Sequence, residues 1–216
     1  DGEVTIPYWR LDINIEEDLI EEVARIYGYE KIESQSLPKE NIPSLDQSLP
    51  NFIYDLKVKL KEAGLTEVQT YSFYSTAVLE TLGAPKEALI KIANPISSET
   101  EYMRMDLWPN LVEVAGKNIR QEFKDIAVFE IGKVYFQENG QPKEEYRLSI
   151  ALMNDSDNPI AELASFELDL KGIELNPAYF HPKRIKDGIG EVHLRVLNQL
   201  RIEKRVAVTE LLLQIP

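Results

Sequence analysis

Asp12, Asp18, Glu21 and Glu22 are the residues whose type and spacing could do chemistry. Asp18, Glu21, Glu22 and Arg25 recur at i, i+3, i+4 and i+7, which puts three carboxylates on one side of a helix, with Asp12 just ahead of it. Like charges at this spacing cost roughly 0.2–0.5 kcal/mol per pair, so something must offset them. Arg25 and the positive end of the helix supply part of the offset. Two readings stay open at this point. One is a solvated acidic face, which the spacing alone favours; the other is a divalent cation held by hard oxygen ligands. With no imidazole or thiolate nearby, that cation would be Mg2+.

Other chemistries find less support. The 216 residues include no cysteine, which excludes disulfides, zinc–thiolate sites and thiol nucleophiles. A Ser-His-Asp system would have to use His181 or His193, and neither sits in a nucleophile elbow. No Walker-type or G-x-G-x-x-G turn is present, so nucleotide binding by those routes has no motif to rest on. A net charge of −13 repels phosphate backbones. The one basic stretch, Lys183 to Arg205, has seven Lys/Arg against three Asp/Glu but no interleaved aromatics, and reads as a solvated face.

The elements that must position these groups follow from periodicity. Residues 3–13 read as extended, with Pro7 at an edge. Asn14 is a candidate N-cap with Glu17 three residues on, Ile15, Leu19, Val23 and Ile26 form one apolar stripe, and Gly28 is placed to end the helix. Pro- and Ser-rich residues 34–50 read as a linker. A second helix follows over Phe52–Ala63, closed by Gly64, then a strand over Thr66–Tyr74 and a short helix from Ser75 or Thr76 to Leu82. From Asn94-Pro95 the chain runs through an extended piece with Arg104 into a helix with Pro109 in its first turn and Leu111, Val112, Ala115, Asn118 and Ile119 on one face. A strand begins near Ile126, is interrupted by Gly132 and resumes over Lys133–Phe136. Tyr146–Met153 alternates as a strand, Gly190–Leu200 reads as a helix, and Val206–Leu213 as a final strand. These elements predict an α+β fold: an antiparallel sheet with helices on one face. No apolar run is long enough to cross a bilayer and no signal segment is visible, which predicts a cytoplasmic protein.

The ordered set Asn94, Pro95, Arg104, Leu107, Pro109, Leu111, Asn118, then Phe129, Glu130, Ile131, Gly132 and Tyr135, resembles the core of the beta subunit family of phenylalanine–tRNA ligase, a class II aminoacyl-tRNA synthetase-like module. Arg10 to Tyr29 resembles the end of the small domain that precedes that core, and Gly64 with Tyr71–Phe73 extends the likeness. The resemblance implies a C-terminal part of a small metal-site α/β domain at residues 1–35, a linker at 36–50 and a class II-like core at 51–216. It also implies that Asp12, Asp18, Glu21 and Glu22 bind Mg2+ shared with the alpha subunit, which shifts the balance toward the metal. Between Gly172 and His181-Pro182 only eight residues stand where the family has a further helix and strand, read here as loops left out of the numbered chain, with a deletion as the other explanation.

Catalytic class II members carry an arginine after G-K-V-Y to clamp the alpha-phosphate of ATP; Phe136 stands at that position, and an apolar ring cannot neutralise phosphate. The resemblance therefore implies a pseudo-catalytic core with no catalytic or nucleotide-binding residue of its own. In this reading Arg104 and Glu130 form a structural ion pair. The implied role is support of the alpha subunit in a heterotetramer that charges tRNA with phenylalanine using ATP, with tRNA met only through the assembled enzyme. Two alternatives stay beside it. A regulatory synthetase paralogue would show a polar pocket for a small molecule, and a divalent-metal scaffold would show converging carboxylates without a large apolar patch.

Overall fold

The structure is a computed structural model that describes residues 2–36, 45–83, 86–121, 123–156, 158–166, 171–172, 175–186 and 188–213. Its backbone divides into two units, Asp1–Leu45 and Asp46–Pro216. The predicted linker falls partly on residues 37–44, and residues 167–170 of the family-like F-x-D-L-K-G segment lie likewise outside the described residues.

In the first unit the helix α1, Glu16–Tyr27, is capped by a residue other than the predicted pair. Asp18 Oδ2 accepts the backbone N–H groups of Asn14 at 2.8 Å and Ile15 at 3.0 Å, which a carboxylate in the first turn does better than a neutral amide. Gly28 ends the helix at φ 101°, and its N–H donates to Ala24 O at 2.8 Å. Residues 3–13 form no strand; turns at Tyr8–Trp9 and Leu11–Asp12 break the extended run, the first closed by Arg10 N–H to Pro7 O at 3.0 Å. The apolar stripe of α1 is as the spacing predicts, but no residue of the helix is buried.

The second unit runs α2 (Ser48–Glu62), β1 (Thr66–Glu67), α3 (Thr76–Leu82), α4 (Trp108–Ile119), β2 (Ile126–Glu138), β3 (Gln141–Met153), α5 (Pro159–Ala164), β4 (Lys171–Gly172), β5 (Phe180–Lys186), β6 (Ile189–Val192), α6 (Leu194–Gln199) and β7 (Val206–Leu212). The sheet order is β1-β2-β3-β7-β6-β5, with β4 also paired to β7. Only the β1–β2 pair is parallel among the described strands. β2 and β3 form a hairpin of 13 residues per strand, longer than the alternating patterns suggest, closed by Asn139 (φ 53°) and Gly140 (φ 74°), the left-handed pair that a two-residue hairpin turn requires.

Helices cover both faces of this sheet, which corrects the one-face expectation. Leu148, Ile150 and Leu152 of β3 pack with Leu56 and Leu60 of α2 and Leu163 of α5. Ala151 and Met153 of the same strand pack with Trp108, Leu111 and Val112 of α4 on the other side. A period-two strand buried on both faces is apolar in both phases, so its exposed partner phase vanishes. Gly190 belongs to β6 rather than to a helix, and the helix starts only at Leu194, with His193 Nδ1 accepting Arg195 N–H at 3.1 Å. Among the described residues no helix is long and apolar enough to cross a membrane.

Candidate functional site

Glu130 of β2, Ser149 of β3 and Glu210 of β7 lie directly opposite one another in the ladder, on the face that packs against α4. Two carboxylates, both about 1% exposed and with Ser149 between them, thus stand on a face whose other strand residues Val128, Ala151, Met153 and Val208 are apolar. Each needs a counter-charge, because an unpaired buried carboxylate is expensive.

Arg104 supplies the first. Its Nη1 donates to Glu130 Oε1 at 2.7 Å and to Thr70 Oγ1 at 2.8 Å, and its Nε donates to Lys133 O at 2.9 Å. Thr70 Oγ1 in turn donates to Glu130 Oε2 at 2.7 Å. The predicted structural ion pair is therefore present and buried, with side chains 3% and 2% exposed. Gly132 does not interrupt β2, as the sequence suggests. It leaves room for the guanidinium: a Cβ there would lie 2.5 Å from Arg104 Nη2.

Arg147 supplies the second counter-charge. Its Nη1 donates to Glu210 Oε1 at 2.9 Å and to Asp106 Oδ1 at 2.8 Å, while Glu145 accepts from its Nε at 2.7 Å. Glu210 also accepts the N–H groups of Leu107 and Trp108, each at 3.0 Å through Oε2, so a β-strand side chain caps the first turn of α4. Burial pushes the Glu210 carboxyl up to about 7, Asp106 adds to the push, and Arg147 opposes it. Burial likewise raises Asp106.

Asn110, in the first turn of α4, explains why the strand predicted over Thr66–Tyr74 shrinks to β1. Its Nδ2 faces Tyr71 O at 3.1 Å, Phe73 O at 3.0 Å and Thr70 Oγ1 at 3.3 Å, taking over bonds that a ladder would make. Beyond β1, the backbone of this segment makes one isolated bridge among the described residues, Phe73 with Met103. Asn110 Oδ1 is buried and has no hydrogen-bond partner among the described residues.

A groove of about 1220 Å³ opens beside these groups. Its lining includes Thr70, Asn110, Arg104, Glu130, Gly132 and Lys133, with Tyr71 and Ile96 among its apolar members. Tyr71 is 83% exposed and Ile96 99% exposed, so two large apolar side chains project beside a polar floor. Phe136 is half-buried and does not line this groove.

In the first unit three of the four predicted metal ligands, Asp12, Asp18 and Glu22, are engaged elsewhere. Arg10 Nη2 donates to Asp12 Oδ2 and to Glu22 Oε1, both at 2.7 Å, and Arg10 Nε donates to Asp12 Oδ1 at 3.0 Å. Glu22 also pairs with Arg25. The Arg10 guanidinium holds Asp12 and Glu22 below the usual carboxylate range, with Arg25 adding to the effect at Glu22. Asp18 is occupied as the helix cap, and Glu21 makes none of these bonds. Among the described residues no three His, Cys, Asp or Glu side chains form a group that could hold a metal ion, so in this arrangement the set does not fit Mg2+. Sequence reasoning placed the carboxylates on one helix side but missed Arg10, whose signal was a cation two residues before Asp12.

Comparison with known proteins places these features. The family profile described as the phenylalanyl tRNA synthetase beta chain CLM domain matches residues 34–173, and the tRNA synthetase B5 domain profile matches residues 1–29. The phenylalanine–tRNA ligase beta subunit of Rickettsia bellii is 32% identical over 239 aligned positions, covering 96% of this chain and 27% of the relative. That of Thermotoga maritima is 37% identical over 159 positions, covering 73% of this chain and 20% of the relative. That of Ehrlichia canis is 32% identical, covering 97% and 30%. The chain thus spans less than a third of the length of these relatives. A solved pyrrolysyl tRNA synthetase from Desulfitobacterium hafniense shares the fold, with a TM-score of 0.57 at 16% identity over 76% of this chain and 66% of that one.

Proposed function

The chain belongs to the phenylalanyl-tRNA synthetase beta-chain family, and from that membership we propose that it is a non-catalytic part of the ligase, supporting the alpha subunit as tRNA is charged with phenylalanine at the expense of ATP in the cytoplasm. The observation that carries the reading is the use of Arg104. Its guanidinium, the charge best suited to grip a phosphate, is spent on Glu130, Thr70 and the Lys133 carbonyl. With Phe136 at the position where the catalytic relatives of this fold have arginine, no arginine of that strand is left to hold ATP. The chain alone is expected to give no phenylalanine-dependent exchange of pyrophosphate into ATP. Exchange above background would sink the non-catalytic assignment.

The groove is the surface assigned here to the alpha subunit. An obligate partner leaves large apolar side chains bare when it is missing, and Tyr71 and Ile96 are bare. Asn110 of the same lining carries a buried acceptor, Oδ1, with no partner among the described residues, which an incoming N–H reaches only if binding opens this floor. Ile96→Asp together with Tyr71→Ala should weaken capture of purified alpha subunit about thirtyfold, the scale of a central interface residue, with the chain still folded by circular dichroism. Undiminished capture would remove this surface from the reading; no capture by the unaltered chain would remove the partner. The same orphan acceptor supports a second reading, a small molecule with an N–H donor in the groove, as in a regulatory paralogue. Binding of such a molecule without any affinity for the alpha subunit would favour it.

Mg2+ at Asp12, Asp18, Glu21 and Glu22 belongs to the same proposal. The acidic side chains would hold it through hard oxygens, and it would supply cross-linking charge at the meeting of two chains. Because the present pairs leave no converged site, binding requires those side chains to change partners.

A further inference from the structure

We propose that Asn139 is a self-modification site, losing its side-chain amide as ammonia by reaction with Gly140, and that the turn between β2 and β3 is the brake on that reaction. Asn139 is the one asparagine of the sequence followed by glycine, whose nitrogen has no side chain beside it to hinder attack. Residues 137–144 are exposed, so water and hydroxide reach the turn. Even a Cβ added at Gly140 would meet nothing within 4 Å. In the reaction the Gly140 N–H gives its proton to hydroxide, and the nitrogen bonds to Asn139 Cγ as the Cγ–Nδ2 bond breaks. The leaving amide takes a proton from water and departs as ammonia, which leaves a five-membered imide. Water then opens the imide at either carbonyl to give aspartate or isoaspartate, with nothing oxidised or reduced.

The fold sets the rate. Asn139 and Gly140 have φ 53° and 74°, the left-handed pair of a two-residue hairpin turn. At a left-handed ψ of about +47° the Gly140 nitrogen lies nearly opposite Asn139 Cβ about the Cα–C bond, so the ring closes only after the turn opens. What resists opening is local. Among the described strands, β1 pairs with β2 at Val128 and Phe129 and β7 pairs with β3 from Arg147 inward, so the outer half of the hairpin has no third strand. Its tip relies on its own ladder, from Glu138 opposite Gln141 inward, and on the surface pair of Lys143 with Glu138. Two strands without a third are marginal, and the tip therefore opens more readily than the sheet. Aspartate tolerates the left-handed conformation and keeps the turn. Isoaspartate lengthens the main chain by one methylene and does not fit a two-residue loop. Either product adds a negative charge to a tip that already carries Glu138 and Glu144.

The test incubates the full chain at mildly alkaline pH, folded in one arm and in urea in the other. Mass spectrometry follows the peptide that spans the turn, with fragmentation that distinguishes aspartate from isoaspartate. The peptide is expected to gain the mass difference between an amide NH2 and a hydroxyl, about tenfold more slowly in the folded chain than in urea, the scale of a partly protected local opening. Asn139→Gln would need a six-membered ring, so the gain should vanish in both arms while circular dichroism shows the fold retained. No gain in either arm, or a gain that persists in Asn139→Gln, overturns the site. Equal rates in the folded chain and in urea overturn the brake.

Discussion

Replacing Gly132 by alanine is expected to cost about 3–5 kcal/mol of stability, the scale of breaking a buried ion pair, although backbone propensity alone argues the opposite sign. A glycine inside a strand is destabilising by roughly 0.5–1 kcal/mol relative to alanine, so a position free of contacts would gain from the change. At Gly132 the new Cβ would sit 2.5 Å from Arg104 Nη2 and 3.2 Å from Glu130 Oε1. The far end of an arginine ordinarily yields, but this one is held by Nε on the Lys133 carbonyl and by Nη1 on Glu130 and Thr70, at 2.7–2.9 Å. If it moves, Glu130 is left charged and 1% exposed. Urea unfolding of Gly132→Ala and Arg104→Met, each alone and together, separates the terms. Both single changes should lower the midpoint strongly. In the Arg104→Met background the alanine should be neutral or stabilising, because the group it strikes is gone. A Gly132→Ala chain as stable as the original would mean that the guanidinium is not fixed as described.

This position also shows what was legible in the sequence and what was not. Pro109 and the spacing of Leu111, Val112 and Ala115 gave α4 its start and its buried face, since both signals are local. The Arg104–Glu130 pair was reachable through the family resemblance, whose motif includes both residues. Glu210 carried a signal that went unused: it shares a phase with Val206 and Val208 of β7, all buried, and a carboxylate there needs a counter-charge. The role of Gly132 was hidden, since a glycine in a strand marks either a break or a close approach and only the third dimension tells which. The Thr66–Tyr74 strand was over-read for a related reason. Its alternation is real, but Asn110, some 40 residues later, supplies the bonds that a neighbouring strand would otherwise make. In the first unit the carboxylate spacing was visible along one helix, while the cation that engages them comes from the loop before it.

Stability of the chain should fall as pH rises from about 5 to about 8, and Glu210 is the group expected to carry the change. An unfolded glutamate titrates near 4.5, whereas burial raises the folded carboxyl of Glu210 to about 7. A group whose folded proton affinity exceeds its unfolded one binds more protons in the native state, so its contribution is fully present below the unfolded value and is lost as pH climbs through the folded one. At 1.36 kcal/mol per pH unit the loss is on the order of 3 kcal/mol. The geometry says where the proton goes. Glu210 and Asp106 share Nη1 of Arg147, at 2.9 and 2.8 Å, and one guanidinium arm does not neutralise two carboxylates. With Glu210 protonated on Oε1, Arg147 turns wholly to Asp106 and Glu145, while Oε2 still accepts Leu107 and Trp108 N–H at the start of α4. Glu210→Gln removes the titration and keeps an acceptor for that helix end, so its stability should be flat between pH 5 and 8 and exceed that of the original chain at the upper end. Urea midpoints at four pH values in this range decide the matter. A slope that survives in Glu210→Gln would assign the proton to Asp106 instead, and a stability that rises with pH would mean that Arg147 and the two N–H donors outweigh burial and keep Glu210 ionised throughout.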